Sequence, residues 1–565
     1  MQKSNLNFIT RRGFLSQTTK AGIVAGLASL TDIPLVVKRA LAEGSIGANG
    51  KKVFFIWLRG ANDALNSVIP IQDSAYASSR PTIGIPKDPG TNYATAGPAD
   101  FPLSGSIGST YGAYPFGIKL GNGFAALHPV LKFLAPVYNA GELALVHRVA
   151  YPRQSRSHFD SQAYWETGYP NNSLVREGIL YRAMVESGLA NTAPLTGVSI
   201  QSSLPLILRG SEAAMTNLND PTRYDLLGIP NSAAGNIKAT NALFAANQYP
   251  FPPKLNRELL RLQYGNMEKT LGVFADINFT EAGNTFRDDV KTDGDVDWYP
   301  QGGSNDGNGY YLFPTTNAKN GGWRRPDGTN VFNKYAVDPP EQGFFANLKA
   351  AALVLNKTDA IVAGTEIGGF DTHKAEGQFT GTHPNLNRAI GWSMYALRKF
   401  FKIYGKNGTN PMPGATTSWE DVVVVTFSEF GRTTVENSDL GTDHAEANVM
   451  FVAGGAVKGY QHGNPSGVFG CSPSDPIPWT SGPRTANLAT CGTMFAANTT
   501  IEAGYLRRSC DYRSVLGEII RKHLGATQNQ LNRIIPGYAD PNEKLLLGGV
   551  SGIDSVAIRG ELGIL

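Results

Sequence analysis

The run VVVVTF at positions 422–427 constrains the fold more than any other stretch of this sequence. Four consecutive valines suit a strand that is buried on both faces, as a central strand of a parallel sheet is. Polar and charged residues follow the run directly, among them Ser428, Glu429 and Arg432. In open α/β sheets, binding sites are built outside the carboxyl ends of such strands. The stretch therefore predicts a buried strand that delivers charged side chains to a sheet edge.

Four further apolar runs have the length and composition of strands. They cover residues 53–58, 143–149, 359–363 and 448–453. Helical patterns lie between them, most clearly at 384–402, with others at 255–274 and 344–355. Strands that alternate with helices predict an α/β fold with a mainly parallel central sheet and helices on both faces. We expect one domain over residues 43–565, with a long loop-rich insertion at about 282–335.

Residues 1–42 have the pattern of a twin-arginine signal peptide. TRRGFLS at 10–16 is followed by a weakly apolar run at 21–30 and by the A-x-A sequence at 40–42. The pattern predicts export through the twin-arginine translocase and a periplasmic or secreted protein. The rest of the chain has no apolar stretch of the ~20 residues that a transmembrane helix needs.

Charge gives no reason to expect a nucleic acid partner. The first 42 residues hold six basic residues and one acidic residue, so the remaining chain is close to neutral. A near-neutral chain offers no strong field to attract a polyanion or an anionic membrane.

The three cysteines, Cys471, Cys491 and Cys510, all lie in the last fifth of the chain. A disulfide between Cys471 and Cys491 would close a loop rich in Pro, Ser and Gly and would suit an exported protein, with one cysteine left over. Metal binding by the cysteines is not expected, because they form no C-x-x-C pair.

Polar clusters follow the first four strand-like runs in turn. They are Asp63 after the first, Ser155, Ser157 and His158 after the second, Asp371 and His373 after the third, and Glu429 and Arg432 after the fourth, with Asp443 and His444 in the loop beyond. Because the carboxyl ends of parallel strands meet at one edge of a sheet, we expect these side chains to lie close together.

The residue types in these clusters indicate metal-assisted chemistry. Carboxylates and imidazoles are ligands of Zn²⁺, Mn²⁺ or Mg²⁺. A serine at a helix start could act as a nucleophile beside such an ion, and Arg432 could bind an oxyanion. The structural alternatives are an N-cap for Ser157, a turn held by Asp63 and a buried ion pair of Glu429 with Arg432.

Several motifs together give the chain a family resemblance. With the twin-arginine start, they are LRGANDALNSVIP, SRSHFDSQ, GFDTH, TFSEFGRT, GTDHAEANVMFVAGGAVKG and DYRSVLGEII. The set resembles the secreted bacterial family known as domain of unknown function 1501, over nearly all of the chain after residue 42. That family in turn resembles the alkaline phosphatase and sulfatase superfamily, which implies an alkaline phosphatase-like fold.

The superfamily resemblance implies two neighbouring metal sites with a nucleophile between them. By position, Asp371, His373 and His444 resemble one site, and Asp63, Glu429 and the Ser157 hydroxyl resemble the other. This sequence departs from the pattern twice. It has Ser428-Glu429-Phe430 where the superfamily usually has an Asp-His pair, and Gly60-Ala61 where the family has a glycine pair.

We therefore predict an exported hydrolase of phosphate or sulfate esters with one or two divalent ions, Zn, Mn or Mg. The predicted metal ligands are Asp63, Asp371, His373, Glu429, Asp443 and His444, and the predicted catalytic residues are Ser157, His158 and Arg432. Ser155 or His158 could take the nucleophile position instead of Ser157. The alternative function is a binding or structural protein of the cell envelope that retains the fold without the reaction.

Overall fold

The computed structural model describes most of the chain between residues 44 and 538, and residues 561–565. The described ranges are 44–99, 116–151, 154–188, 195–213, 215–220, 274, 277, 279, 286–288, 310–313, 342–462, 466–472, 505–506, 508–536, 538 and 561–565. The predicted signal peptide, most of the predicted insertion, the predicted helix at 255–274 apart from its last residue, and Cys491 lie outside these residues.

The described part of the chain contains the following strands and helices. The strands are β1 Lys52–Leu58, β2 Val68–Ile69, β3 Ile118–Lys119, β4 Ala126–Leu127, β5 Leu143–Ala150, β6 Gly197–Ile200, β7 Thr216–Leu218, β8 Arg287–Asp288, β9 Tyr310–Tyr311, β10 Val362–Ile367, β11 Val422–Phe427, β12 Asn448–Gly454, β13 Val468–Phe469 and β14 Cys510–Asp511. The α-helices are α1 Ser74–Ser79, α2 Leu134–Asn139, α3 His158–Thr167, α4 Ile179–Glu186, α5 Gln342–Lys357, α6 Thr382–Tyr404, α7 Tyr512–Glu518 and α8 Gln528–Ile534. Short 3-10 turns occur at Pro129–Leu131, Leu206–Leu208 and Trp419–Asp421, and a π-helical turn at Ile519–His523 continues α7.

A large mixed sheet organises the fold. Within the described chain, its strand order is β13-β5-β12-β11-β1-β10-β6-β7, with β14 paired to β5. Most pairs are parallel, but β12 runs antiparallel to both β11 and β5. Because β5 is antiparallel to an antiparallel strand, it runs in the same direction as β1, β10 and β11. The prediction of an α/β protein with a mostly parallel sheet is therefore confirmed.

Two apolar cores cover the two faces of this sheet, as alternation along β1 requires. Phe54 and Ile56 pack into a core with α5 and α6. Val53, Phe55 and Trp57 pack into the opposite core, to which α4, α7 and α8 contribute. All seven β1 residues are buried, as expected for a strand with neighbours on both sides and helices on both faces.

Most predicted element boundaries are close to the observed ones, but the third strand is displaced. The apolar run at 359–363 predicted a strand that the structure places at Val362–Ile367. Its residues 364–366, Gly-Thr-Glu, lack an apolar pattern, yet they belong to a strand because β1 pairs with them residue by residue. Gly364 is required there, since a Cβ would lie 2.4 Å from the Phe55 ring.

Among the helices of the described residues, none combines the length and apolar character needed to cross a membrane.

Candidate metal centre

The polar clusters meet at one edge of the large sheet. The carboxyl ends of β1, β5, β10 and β11 lie there, together with the amino end of the antiparallel β12. The 428–447 segment between β11 and β12 folds back on itself, with an isolated antiparallel bridge between Arg432 and His444. Gly431 and Ala445 extend this pairing, since the Ala445 N–H donates to the Gly431 carbonyl at 2.9 Å. The edge thus receives side chains from five segments.

His158 enters the site as the first residue of α3. Ser157 caps that helix, with its hydroxyl accepting a bond from the Asp160 N–H at 3.4 Å. The His158 Nδ1 lies 2.8 Å from Glu429 Oε1. Two donors fix the same oxygen, the Gly60 N–H and the Gln162 side-chain amide, each at 2.9 Å. Glu429 is fully buried, so His158 is held by a carboxylate that is itself immobilised.

The other two imidazoles are held in the same manner by different acceptors. The His373 Nδ1 lies 3.0 Å from Asp443 Oδ1, near the surface. The His444 Nδ1 lies 2.9 Å from the main-chain carbonyl of Arg156. A carbonyl or carboxylate oxygen can only accept, so in its neutral form each ring carries the proton at Nδ1 and presents a lone pair at Nε2.

All three Nε2 atoms converge on one carboxylate oxygen. Asp371 Oδ1 lies 3.1 Å from the Nε2 of His373, 3.1 Å from that of His444 and 3.5 Å from that of His158. The His444 Nε2 is also 2.9 Å from the His373 Nε2 and 3.0 Å from the His158 Nε2. The ligand atoms of His158, Asp371 and His444 all lie within 4.8 Å of one another. In the Nδ1–H tautomer, three ring nitrogens with lone pairs therefore face one carboxylate oxygen, and Arg432 donates to that oxygen from the other side of the cluster.

This donor set fits a transition-metal ion such as Zn²⁺. Ligand atoms bound to one ion at about 2.0–2.1 Å in a tetrahedral arrangement lie roughly 3.3 Å apart. The five spacings given above, which run from 2.9 to 3.5 Å, bracket that value. An acceptor for the second nitrogen of each imidazole is the usual companion of metal-binding histidines. Three nitrogens and one oxygen favour Zn²⁺ over Mg²⁺, which prefers oxygen ligands alone.

Arg432 orients Asp371 and does not present a free guanidinium. Its Nη2 donates to Asp371 Oδ1 at 2.5 Å and to the Phe370 carbonyl at 3.0 Å. Its Nε donates to the Ala61 carbonyl at 2.9 Å, and its Nη1 to the Thr442 carbonyl at 3.1 Å. The side chain is fully buried. The donors of Arg432, which was predicted to bind an oxyanion, are thus directed at Asp371 and at main-chain carbonyls of the protein itself.

The electrostatics keep Asp371 and Glu429 ionised. Burial acts to raise the pKa of Asp371, but the hydrogen bond and charge of Arg432 outweigh it and lower the pKa to about 2. For Glu429, burial is likewise outweighed by hydrogen bonds from His158 and Gln162, and its pKa is lowered. The hydrogen bond with Glu429 raises the pKa of His158. Burial lowers the pKa of His444, which favours its neutral form.

Asp63 does not join the cluster through any contact among the described residues. Both of its carboxylate oxygens bind the guanidinium of Arg80, in an ion pair whose side chains are essentially inaccessible to solvent. Arg80 also donates to the carbonyls of Thr433 and Thr434. The predicted metal ligand Asp63 is thus neutralised by a buried cation of the chain itself. Its pKa is lowered, because Arg80 outweighs the effect of burial.

The remaining predicted residues take different positions from those expected. Glu429 and Asp443, predicted as metal ligands, instead accept from the imidazole Nδ1 atoms. His158, predicted as a catalytic residue, has the geometry of a ligand. Ser157 and Ser155 are half-buried at the start of α3, where Ser157 is the N-cap. The structure thus brings His158, Asp371, His373 and His444 together, with Glu429, Asp443 and Arg432 around them.

Phe430 accounts for the departure from an Asp-His pair. Its ring is fully buried, and its centroid lies 4.8 Å from the centroids of both the His158 and His444 rings. The position therefore supplies an apolar floor under two imidazoles. A phenyl ring has no atom that binds a metal ion.

Several residues around the site were not predicted from the sequence. Gln162 carried a usable signal, because it follows His158 by four residues on a helix and so lies on the same face. No sequence signal pointed to the other three, because each lies in a loop or at the end of a short helix without periodicity. They are Arg80, Thr442 and Glu376. Their contacts depend on the tertiary structure alone.

The fold and the site together define a mixed α/β protein with a cluster of three histidines and an aspartate at the edge of its sheet. Residues 325–468 match a family model described as "Protein of unknown function (DUF1501)", which supports the predicted family. The matched segment contains Asp371, His373 and His444 but not His158. No curated protein and no solved structure matches the chain.

Proposed function

We propose that this chain is an exported hydrolase of phosphate or sulfate esters that binds a divalent metal ion, with Zn²⁺ the best fit to the donor set. One observation carries the proposal. Three imidazoles have Nδ1 atoms held by acceptors, and their Nε2 atoms lie 3.1–3.5 Å from one carboxylate oxygen. His158, His373, His444 and Asp371 would hold the ion. The alkaline phosphatase-like fold and the twin-arginine export signal belong to this proposal; the first rests on the sequence resemblance and the second on the pattern of residues 1–42.

The chain's own residues would perform three tasks in this proposal. Glu429, Asp443 and the Arg156 carbonyl hold the imidazoles in the tautomer that a metal requires. Arg432 holds the Asp371 carboxylate ionised and in place. A divalent ion bound there supplies Lewis acidity and lowers the pKa of bound water. The attacking group is either the Ser157 hydroxyl or water.

One ion, not two, is expected. The second site implied by the superfamily resemblance would use Asp63 and Glu429. Asp63 is neutralised by Arg80. Glu429 Oε1 accepts from His158, Gln162 and the Gly60 N–H, whereas its buried Oε2 has no hydrogen-bond partner among the described residues, so the case against a second ion rests on Asp63. A second divalent ion would have to displace a buried guanidinium, which would then lose a buried partner at a large cost.

The first test is the metal content of the folded chain. We expect about one equivalent of Zn²⁺ per chain and its loss in the double variant His373→Ala/His444→Ala. His462→Ala is the matched control, because this histidine is exposed and its ring has no contact with the cluster among the described residues. Absence of metal from the wild-type chain, after exposure to Zn²⁺ and removal of excess ion, would refute the proposal.

The second test is ester hydrolysis by the metal-loaded chain on aryl phosphates and aryl sulfates. We expect turnover that the double histidine variant abolishes. Retention of that turnover in Ser157→Ala would assign the attack to water, and its loss with metal still bound would assign it to the serine hydroxyl.

A binding protein without catalysis is the second candidate function, and Arg432 favours it. The predicted oxyanion clamp is buried and engaged, so Arg432 presents no free guanidinium to a substrate. Full metal occupancy with no turnover on either ester class would support this candidate over the hydrolase.

A further inference from the structure

Glu376 lies behind the two loops that carry three of the four proposed ligands. Its carboxyl oxygen Oε2 accepts a hydrogen bond from the Thr442 hydroxyl at 2.6 Å and a longer one from the Thr372 hydroxyl at 3.3 Å. Thr372 stands between Asp371 and His373, and Thr442 comes immediately before Asp443 and His444. One oxygen thus contacts both ligand-bearing loops next to their ligands.

We propose that Glu376 is a positioning residue for the metal centre, which holds the 371–373 loop and the 442–444 loop at the spacing that ligation requires. This inference rests on the proposed metal site. The same two threonines are joined through the main chain, where the Thr442 N–H donates to the Thr372 carbonyl at 3.1 Å. The Thr442 carbonyl in turn accepts from Arg432, which holds Asp371. The Glu376 carboxyl therefore completes a hydrogen-bond network that links the two threonines, Arg432 and Asp371.

The environment of Glu376 favours a neutral carboxyl group that stays hydrogen-bonded to both threonines. The side chain is fully buried. Burial first, and the nearby negative charge of Asp63 second, raise the pKa of Glu376 well above its ordinary value. The neutral acid keeps a carbonyl oxygen that accepts from both hydroxyls. A glutamine has the same shape and the same acceptor, so it tests whether hydrogen bonding is the role.

The experiment measures Zn²⁺ and Co²⁺ affinity of the full chain by chelator competition. We expect Glu376→Ala to lower affinity 10–100-fold, the range seen when the outer partners of metal ligands are removed. Glu376→Gln is expected to retain affinity within about threefold. Thr442→Val, a milder change that keeps the shape, is expected to lower affinity about tenfold, whereas Thr442→Ser retains it. The absorption spectrum of bound Co²⁺ reports whether ligand geometry changes.

Glu518→Ala is the matched control for loss of a buried carboxyl. Glu518 is also fully buried and accepts bonds from the N–H groups of Leu562 and Gly563, but it has no bond to the ligand loops among the described contacts. Its loss is expected to reduce thermal stability and to leave metal affinity unchanged. Equal affinity in wild type, Glu376→Ala and Thr442→Val would overturn the positioning role and leave the metal site standing.

A readout without metal separates this inference from the proposed function. In metal-free chain labelled with ¹⁵N-histidine, the signals of His373 and His444 report their tautomers and surroundings. We expect these signals to shift in Glu376→Ala but not in Glu376→Gln or Glu518→Ala. If wild type binds no metal, the proposed site fails. Unshifted signals in Glu376→Ala would overturn the positioning role whether or not metal binds.

Discussion

The three imidazoles of the cluster differ in the acceptor that holds each Nδ1. His158 has a fully buried carboxylate, His373 has an exposed one, and His444 has a main-chain carbonyl. Water can replace an exposed acceptor but cannot reach a buried one. The contribution of each acceptor to metal binding should therefore follow its burial.

Removal of the two carboxylates tests this order. We expect Glu429→Ala to lower Zn²⁺ affinity 10–100-fold, because His158 then has no fixed acceptor, and Asp443→Ala to lower it less than tenfold. Chelator competition on the folded variants measures both. Equal losses, or a larger loss for Asp443→Ala, would contradict the burial argument.

Glu429→Gln is the informative intermediate. The Gly60 N–H and the Gln162 amide both donate to Oε1, so they favour an amide oxygen at that place. His158 then keeps its acceptor but loses the neighbouring negative charge that raises its pKa. We expect an affinity between those of wild type and Glu429→Ala.

At the scale of elements, the turn after β1 packs directly against the loop after β10. Gly60 has φ +107°, and a Cβ at this residue would lie 2.6 Å from the Asp371 N. Ala61 follows with φ 69°, a left-handed conformation that glycine adopts more readily. Gly60-Ala61 stands where the family has a glycine pair. The backbone at Ala61 is therefore strained in a way that a second glycine would avoid.

Gly60→Ala is expected to destabilise the fold by about 2–4 kcal/mol, from backbone strain and from displacement of the Asp371 main chain. Denaturant unfolding measures the loss. Gly343→Ala is the matched control, because this exposed glycine in α5 has no atom within 4 Å of an added Cβ. That change is expected to be neutral or mildly stabilising. Equal free energies of unfolding for the two variants would show that the loop after β10 can move to accommodate the added Cβ without destabilising the fold.

The positions of most strands in the sheet could be predicted from the local sequence pattern, but the antiparallel direction of β12 could not. The apolar runs located β1, β5, β11 and β12, and the polar residues behind them located most of the site. The antiparallel course of β12 has no counterpart in composition, because a buried strand looks the same in either direction. Strand β6 and the edge strand β7 are too short to give a pattern.

The same limit applies to the residues of the site. Asp63 was predicted as a metal ligand because it follows a strand end, yet its partner Arg80 lies 17 positions along the chain in a region without a motif. The position of a carboxylate can be inferred from strand order. Whether a metal or an arginine neutralises it depends on loops that no periodicity describes.

For the whole molecule, Glu376 predicts a dependence of stability on pH. Its pKa in the folded chain is well above the ordinary value of 4.5, so folding takes up a proton between those two values. The contribution of Glu376 to the free energy of unfolding is fully present below about pH 4.5. It is lost as the pH rises through the pKa of the folded chain. Glutamine takes up no proton.

The Tm of Glu376→Gln relative to wild type is therefore expected to increase as pH rises from about 5 to 8, and to differ least near pH 4. Calorimetric scans across this range measure the difference. A Tm difference that is constant with pH would mean that Glu376 is ionised in the folded chain.

The order of strands in the sheet also bears on when the metal centre can exist during synthesis. β5 pairs with β12, β13 and β14, all of which come later in the sequence. A ribosome must therefore make some 300 further residues before β5 can pair with another strand of the sheet. His158 lies at the start of the helix that follows β5. The contact of His158 with His444 spans 286 positions, among the slowest kinds to form. A metal ion bound at the proposed site could therefore complete its ligand shell only after most of the chain has been made, so it would stabilise the folded chain and would not nucleate folding.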